Sequence, residues 1–207
     1  MATGEKYEFT DFRNPLPNSI ILDANILINS INPVVPSIQK TKNLYLASRT
    51  FFNRLYKDRN CIGFVPMSVV LECFQFIMRA EIEKFVFIYN QNNLSIRPLP
   101  PRVVDALKVK PSIMQQSGAA QKINDFLKTL TKSRIVTIEP GLLPIITNNP
   151  FSQDIANVMN QLNLTPNDAN ILVVAKRYGV NQIASVDKDM LKIQQLGFDI
   201  YTSRHCR

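Results

Sequence analysis

The sequence predicts an α/β fold with a mainly parallel central sheet flanked by helices. Short apolar runs rich in β-branched residues alternate with longer segments of helical periodicity. A length of 207 residues suits one well-packed domain, with room for an insertion. A hydrophobic content of 45% and a charged content of 19% belong to an ordinary globular chain.

Taken in order, residues 1–18 read as an N-terminal arm, mixed in character and broken by Pro15 and Pro17. A single domain is expected over 19–207. Ser19 to Asp23 is a short buried strand that ends abruptly on an acid, and 24–31 begins a helix or turn that Pro33 and Pro36 stop. Lys42 to Lys57 is helical, with Leu44, Ala47, Phe51 and Leu55 on one stripe. Cys61 to Val65 is a second strand. Ser68 then serves as the N-cap of a helix running to about Tyr89. Residues 90–120 change character, Asn-rich and then basic around RPLPPR, and are the candidate insertion. A helix over Lys122 to Leu130, a strand over Arg134 to Ile138, and short helices over Gly141 to Thr147 and Ser152 to Leu162 follow. Thr165-Pro166 opens a helix that ends near Gly179. Gln182 to Val186 is a strand, a short helix follows it, and Phe198 to Thr202 is a last edge strand.

Several classes of chemistry are excluded. One histidine, His205, lies near the end of the chain and is read as idle, which argues against Ser-His-Asp and Cys-His catalysis. The six glycines form no phosphate-cradling motif. Cys61, Cys73 and Cys206 are odd in number and far apart, so neither a disulfide framework nor a zinc site is indicated. No signal peptide and no membrane-spanning run is visible, and a cytoplasmic location is expected. The net charge of +8, with a pI of about 9.5, favours an anionic partner, nucleic acid foremost, although solubility alone also accounts for it.

The informative residues are acids at apolar edges. The pentapeptide Asp-Ala-Asn-Ile-Leu occurs at 23–27 and again at 168–172. Asp23 closes the strand SIILD, where it could also cap the next helix. Glu72 is the only charge between Met67 and Met78, on a helical face shared with Val69, Cys73 and Phe76. An ionised Glu there is costly unless paired or metal-bound. Its bland alternatives are a snorkelling position or a pair with Arg79. Asp168 sits third in its helix, where it can complete a capping box with Thr165. Asp187 closes IASVD, as a site acid or a turn acid. In α/β sheets ligands bind beyond the carboxyl ends of the strands, where Asp23 and Asp187 belong. Converging carboxylates repel, and a hard cation such as Mg²⁺ or Mn²⁺ would neutralise them.

These pieces resemble the PIN domain, a metal-dependent ribonuclease fold found in VapC-type toxins and RNA-processing nucleases. The matching stretches are ILDANILI, MSVVLECF, LTPNDANILVVAKRYGV and IASVDKDML, in the family's order. The resemblance runs through most of the chain from Ser19 and is weak over 90–120. It implies a three-layer PIN-like fold and an acidic quartet of Asp23, Glu72, Asp168 and Asp187 that is both catalytic and metal-binding. Asn25, Ser185 and Asp189 would be auxiliary. It further implies Mg²⁺ or Mn²⁺ as cofactor, RNA as substrate, and metal-activated water as nucleophile. An antitoxin or another protein partner, and a homodimer, are the implied assemblies. The chain is longer than the small toxins, both after the first strand and around 90–120.

Two rivals stand beside this reading. One is a non-catalytic PIN-fold module that binds RNA or a protein. The other is a phosphatase-type α/β enzyme, which would want an acid where Asn25 stands. Residues that bind nucleic acid directly are not marked by the sequence. Arg49, Arg54, Lys57 and Arg59, and Arg97, Arg102, Lys108 and Lys110, are basic clusters whose default is solvated surface. The run Phe85 to Tyr89 suits core or a dimer surface.

Overall fold

The computed structural model describes residues 3–93, 98–139 and 149–206. Two compact units emerge, one formed by Met1–Val70 with Thr131–Arg207 and the other by Leu71–Leu130. The first carries a six-stranded sheet in which every pairing is parallel. Its strands are β1 (Lys6–Glu8), β2 (Ser19–Leu22), β3 (Ile62–Pro66), β4 (Ile135–Ile138), β5 (Gln182–Ala184) and β6 (Asp199–Thr202), in the spatial order β1-β6-β5-β2-β3-β4.

The central strand is apolar on both faces. Ile20, Ile21 and Leu22 are consecutive and all fully buried, as expected where helices cover both sides of a parallel sheet. α1 (Ala24–Ile31) and α2 (Gln39–Lys57) connect β2 to β3 and pack on each other. α7 (Phe151–Leu162) and α8 (Pro166–Tyr178) precede β5 and form the second pair. The chain steps one way along the sheet from β2 to β3 and the opposite way from β4 to β5. Parallel crossovers are right-handed, so the two pairs take opposite faces. This is the three-layer α/β arrangement.

The α7–α8 pair is clasped by an ion pair with little solvent. Arg177 Nη2 lies 2.6 Å from Asp154 Oδ2 and also donates to the Asn149 carbonyl at 3.0 Å, while its guanidinium sits 5.1 Å from the Phe151 ring centroid. At the other end of the sheet the residues expected to form a loose arm supply a strand. β1 pairs with β6, so β6 is an interior strand and β1 the edge. Aromatic packing holds it: Tyr7 stacks on Tyr201 at 4.7 Å and Phe9 on Phe51 of α2 at 4.4 Å. Arg54 of α2 donates to the carbonyls of Asp11 (3.1 Å) and Asn14 and lies over Phe12. It is a strut for this segment rather than a free phosphate contact.

The second unit holds most of α3 (Met67–Asn92), with α4 (Val103–Val109), α5 (Ile113–Gln116) and most of α6 (Ala119–Lys132). Ile82, Val86, Leu99, Ala106 and Ile113 form its own core, with Phe85 and Tyr89 packed against it. Much of the expected insertion at 90–120 therefore folds as helices around a core shared with Ile82 and Val86 of α3. Asn90 clamps the chain there, accepting from the Leu99 amide (2.7 Å) and donating to its carbonyl (2.9 Å). The expected helix over Gly141 to Thr147 and the basic residue Arg97 lie outside the described residues. No helix among the described residues is long and apolar enough to cross a membrane. Cys61, Cys73 and Cys206 are buried, and burial, aided by Asp58, pushes the Cys61 thiol up to about 12.

Removing the Arg177 guanidinium takes away the ion pair to Asp154 and the bond to the Asn149 carbonyl together. Arg177→Ala should cost about 3 kcal/mol, read by urea denaturation. Arg177→Lys should recover only part of it, because an ammonium does not reproduce the planar fork. A loss under about 0.5 kcal/mol, the ordinary surface level, would contradict this assignment.

Candidate active site

The strand order reverses direction between β2 and β5, and the crevice beyond their carboxyl ends is where α/β sheets bind ligands. Asp23 follows β2 directly, and its amide continues the pairing by donating to the Ala184 carbonyl of β5 at 3.0 Å. Asp23 occupies the N-cap position of α1, yet its side chain makes no cap hydrogen bond. Its carboxylate turns across the crevice instead, where Oδ2 accepts from the Ser185 hydroxyl at 2.7 Å. Asp23 is only 4% exposed, so capping is not what places this acid here.

Ser185, fully buried just past β5, joins two acids. Its hydroxyl donates to Asp23 and accepts from the Asp187 amide at 2.9 Å. Its own amide donates to Tyr201 of β6 at 3.0 Å, which fixes the serine to the sheet. Asp187, partly exposed, makes a tight turn: its Oδ1 accepts from the Asp189 amide at 2.8 Å. Asp189 pairs with Lys192 at 3.0 Å.

Asp168 arrives from the start of α8. Thr165 is the N-cap, followed by Pro166. The Thr165 hydroxyl accepts from the Asp168 amide (3.3 Å) and donates to the Asp168 carboxylate (2.6 Å), so the threonine both caps the helix and orients the acid. Asp168 is 9% exposed. Burial pushes its carboxyl above the usual carboxylate range; the Thr165 hydroxyl opposes the shift, and the negative charges of Asp187 and Asp189 add to it. Asp168 thus shares its field with both acids of the β5 loop. Two residues along, Asn170 donates to Ser68 Oγ at 2.5 Å.

That contact corrects the role expected of Ser68. α3 begins at Met67, directly where β3 ends, so Ser68 lies inside the helix and its hydroxyl receives Asn170. Glu72 belongs to the second unit, on α3, partly exposed beside the fully buried Cys73. Arg79, its suggested partner, pairs with Glu83 at 2.8 Å. Within the first unit Ser185 therefore joins Asp23 to Asp187, and Asp168 feels the charges of Asp187 and Asp189. Among the described residues, no group of three or more His, Cys, Asp or Glu side chains is arranged to hold a metal ion.

Asp187 also opens onto a cleft of about 330 Å³ whose wall includes Asn25, Lys40, Thr41, Lys188 and His205. Sequence reasoning placed Asn25 near the first acid, but passed over Lys40 and set His205 aside. Neither carries a local signal. His205 arrives because Cys206 donates from Sγ to the Val186 carbonyl (3.2 Å), pinning the segment against the β5 loop.

The sequence matches no established family profile, and no curated protein matches it significantly.

A raised pKa in the folded state means that the native protein holds the Asp168 proton more tightly than the unfolded chain does. As pH rises from the ordinary value of 3.8 through the higher folded value, this group therefore withdraws stability. Asp168→Asn keeps an acceptor for the Thr165 hydroxyl and removes the charge. Its stability should decline less than wild type above about pH 4, and its melting temperature at neutral pH should be no lower. A variant that melts well below wild type at neutral pH contradicts this account.

Proposed function

We propose that the chain is a PIN-like, Mg²⁺- or Mn²⁺-dependent ribonuclease that hydrolyses RNA phosphodiester bonds in the cytoplasm. The observation that carries the reading is the Asp23 carboxylate, buried at the switch point of the sheet and held by a serine that also positions Asp187. A structural acid in that place would cap α1, and this one does not.

The donor chemistry fits a hard divalent ion. The side chains are carboxylates, and Asp168 is held above its usual range by burial and by like charge, a strain that a cation relieves. When bound, such an ion supplies charge neutralisation and water activation suited to phosphodiester hydrolysis. Asp23, Asp168 and Asp187 would hold it, drawing inward from their present spacing. Ser185 would fix the orientation of Asp23, and Thr165 that of Asp168. By the family resemblance Glu72 is the fourth acid, and Glu72→Gln tests it. The substrate would be RNA, for which the net charge of +8 supplies attraction. A toxin-type enzyme with a protein antitoxin and an RNA-processing endonuclease are two versions of this proposal.

One observation favours a second reading. No group of three metal-ligating side chains is preformed among the described residues, as a non-catalytic module that binds RNA or a protein would have it.

Incubation of the purified chain with RNA decides between them. Cleavage should require Mg²⁺ or Mn²⁺, stop with EDTA, and vanish in Asp168→Asn. Ser185→Ala should lower the rate about 10- to 100-fold, as loss of a ligand-orienting group does. Mn²⁺ should raise the melting temperature of wild type and not of Asp168→Asn. Full activity in a folded Asp168→Asn variant, or neither cleavage nor metal stabilisation in wild type, would sink the nuclease reading.

A further inference from the structure

The acids are not the end of the crevice. The cleft beyond Asp187 has Lys40 and Thr41 of α2 on one side and Lys188 and His205 on the other. His205 also lines a second, adjoining hollow of about 180 Å³, whose wall includes Arg204, Asn43 and Thr50. α2 contributes to both hollows, through Lys40 and Thr41 in the first and Asn43 and Thr50 in the second. Sharing His205, the two hollows both lie between α2 and the segment 203–206, a groove with Asp187 in its first hollow.

Three features make this groove built rather than incidental. Its far wall is pinned: the Cys206 amide donates to the Ser203 carbonyl (2.9 Å), the His205 amide to Ser203 Oγ (3.2 Å), and Cys206 Sγ to Val186 (3.2 Å). Its cations follow the length of the groove, with Lys40 and Lys188 in the first hollow and Arg204 in the second, where Arg204 Nε donates to His205 Nε2 at 3.4 Å. Neutral hydrogen-bonding side chains share the lining, which includes one acid in each hollow, Asp187 in the first and Glu8 in the second. Spaced cations accompanied by neutral donors suit a chain of phosphates better than a single small anion.

We propose that this groove is the track for the sugar-phosphate backbone of a single RNA strand leading away from the acids, with Lys40 and Arg204 neutralising successive phosphates. The inference rests on the nuclease reading for its substrate class, but it concerns binding and is tested without cleavage.

The experiment is fluorescence anisotropy of the full chain with a mixed-sequence single-stranded oligoribonucleotide in EDTA, over a series of salt concentrations. Lys40 and Arg204 are exposed, so their replacement leaves the core intact. Lys40→Ala and Arg204→Ala should each weaken binding about three- to tenfold and lower the slope of log affinity against log salt by about 0.7. Lys57→Ala removes the same charge at the far end of α2 and should leave both quantities near wild type. Equal losses in all three variants would show general attraction to a basic protein and overturn the track, as would failure of wild type to bind the oligonucleotide. The cleavage assay run in parallel separates the two ideas. Binding that depends on Lys40 and Arg204 without cleavage leaves the track standing and removes the nuclease, whereas cleavage with three indistinguishable variants does the reverse.

Discussion

The Ser185 hydroxyl is the hinge on which the site geometry turns. It sits between a carboxylate it donates to and an amide it accepts from, and those two groups end neighbouring strands of a parallel sheet. Each strand alone would leave its acid on a free loop. Pairing of Leu22 with Ala184, extended by the Asp23 amide, brings the two loops into register, and the buried hydroxyl then fixes their side-chain and backbone polar groups together. A charge-assisted hydrogen bond of this kind contributes roughly 1.5–3 kcal/mol, and it serves a carboxylate that is only 4% exposed.

The same logic explains how Asp168 is tolerated. Helix starts commonly recruit an acid to the third position, so the local requirement of α8 and the requirement of the crevice are met by one residue. The cost shows in its proton affinity. Thr165 favours the ionised form, but burial, together with the fields of Asp187 and Asp189, outweighs it. Stability and the crevice therefore pull Asp168 in opposite directions. Proteins commonly accept that tension where charge is used.

What could be read from the chain follows the range of the forces involved. The Thr165-Pro166-Asp168 start is a local signal, and it appears as read, with the difference that the threonine hydroxyl, rather than its amide, meets the carboxylate. β2 was legible because three consecutive apolar residues end on an acid. β1 was not: Lys-Tyr-Glu has no apolar run, and it becomes a strand through aromatic stacking with residues far along the chain. Ser68 looked like a cap by its position before an apolar run, but β3 passes into α3 without a loop, so Ser68 lies inside the helix. The stretch at 90–120 read as an insertion because its composition shifts; its small core depends on Ile82 and Val86 of α3, which no local window connects to Ala106 or Ile113. At the crevice, the partnership of Ser185 with Asp23 spans 162 positions. His205, set aside for its place near the end, reaches the cleft through the anchoring of Cys206 to Val186 and of its own amide to Ser203.

The short strand β1 bears on edge-to-edge pairing of the sheet with other chains. β6 is apolar and buried along Ile200 and Tyr201, and as an open edge it would offer unpaired backbone to any neighbouring chain. β1 occupies that edge with only three residues, two of them charged. A brief, charged terminal strand is a poor template for further pairing. A chain trimmed to its first strongly apolar strand would uncover the sticky edge, and the result would be felt first as aggregation rather than as loss of the crevice.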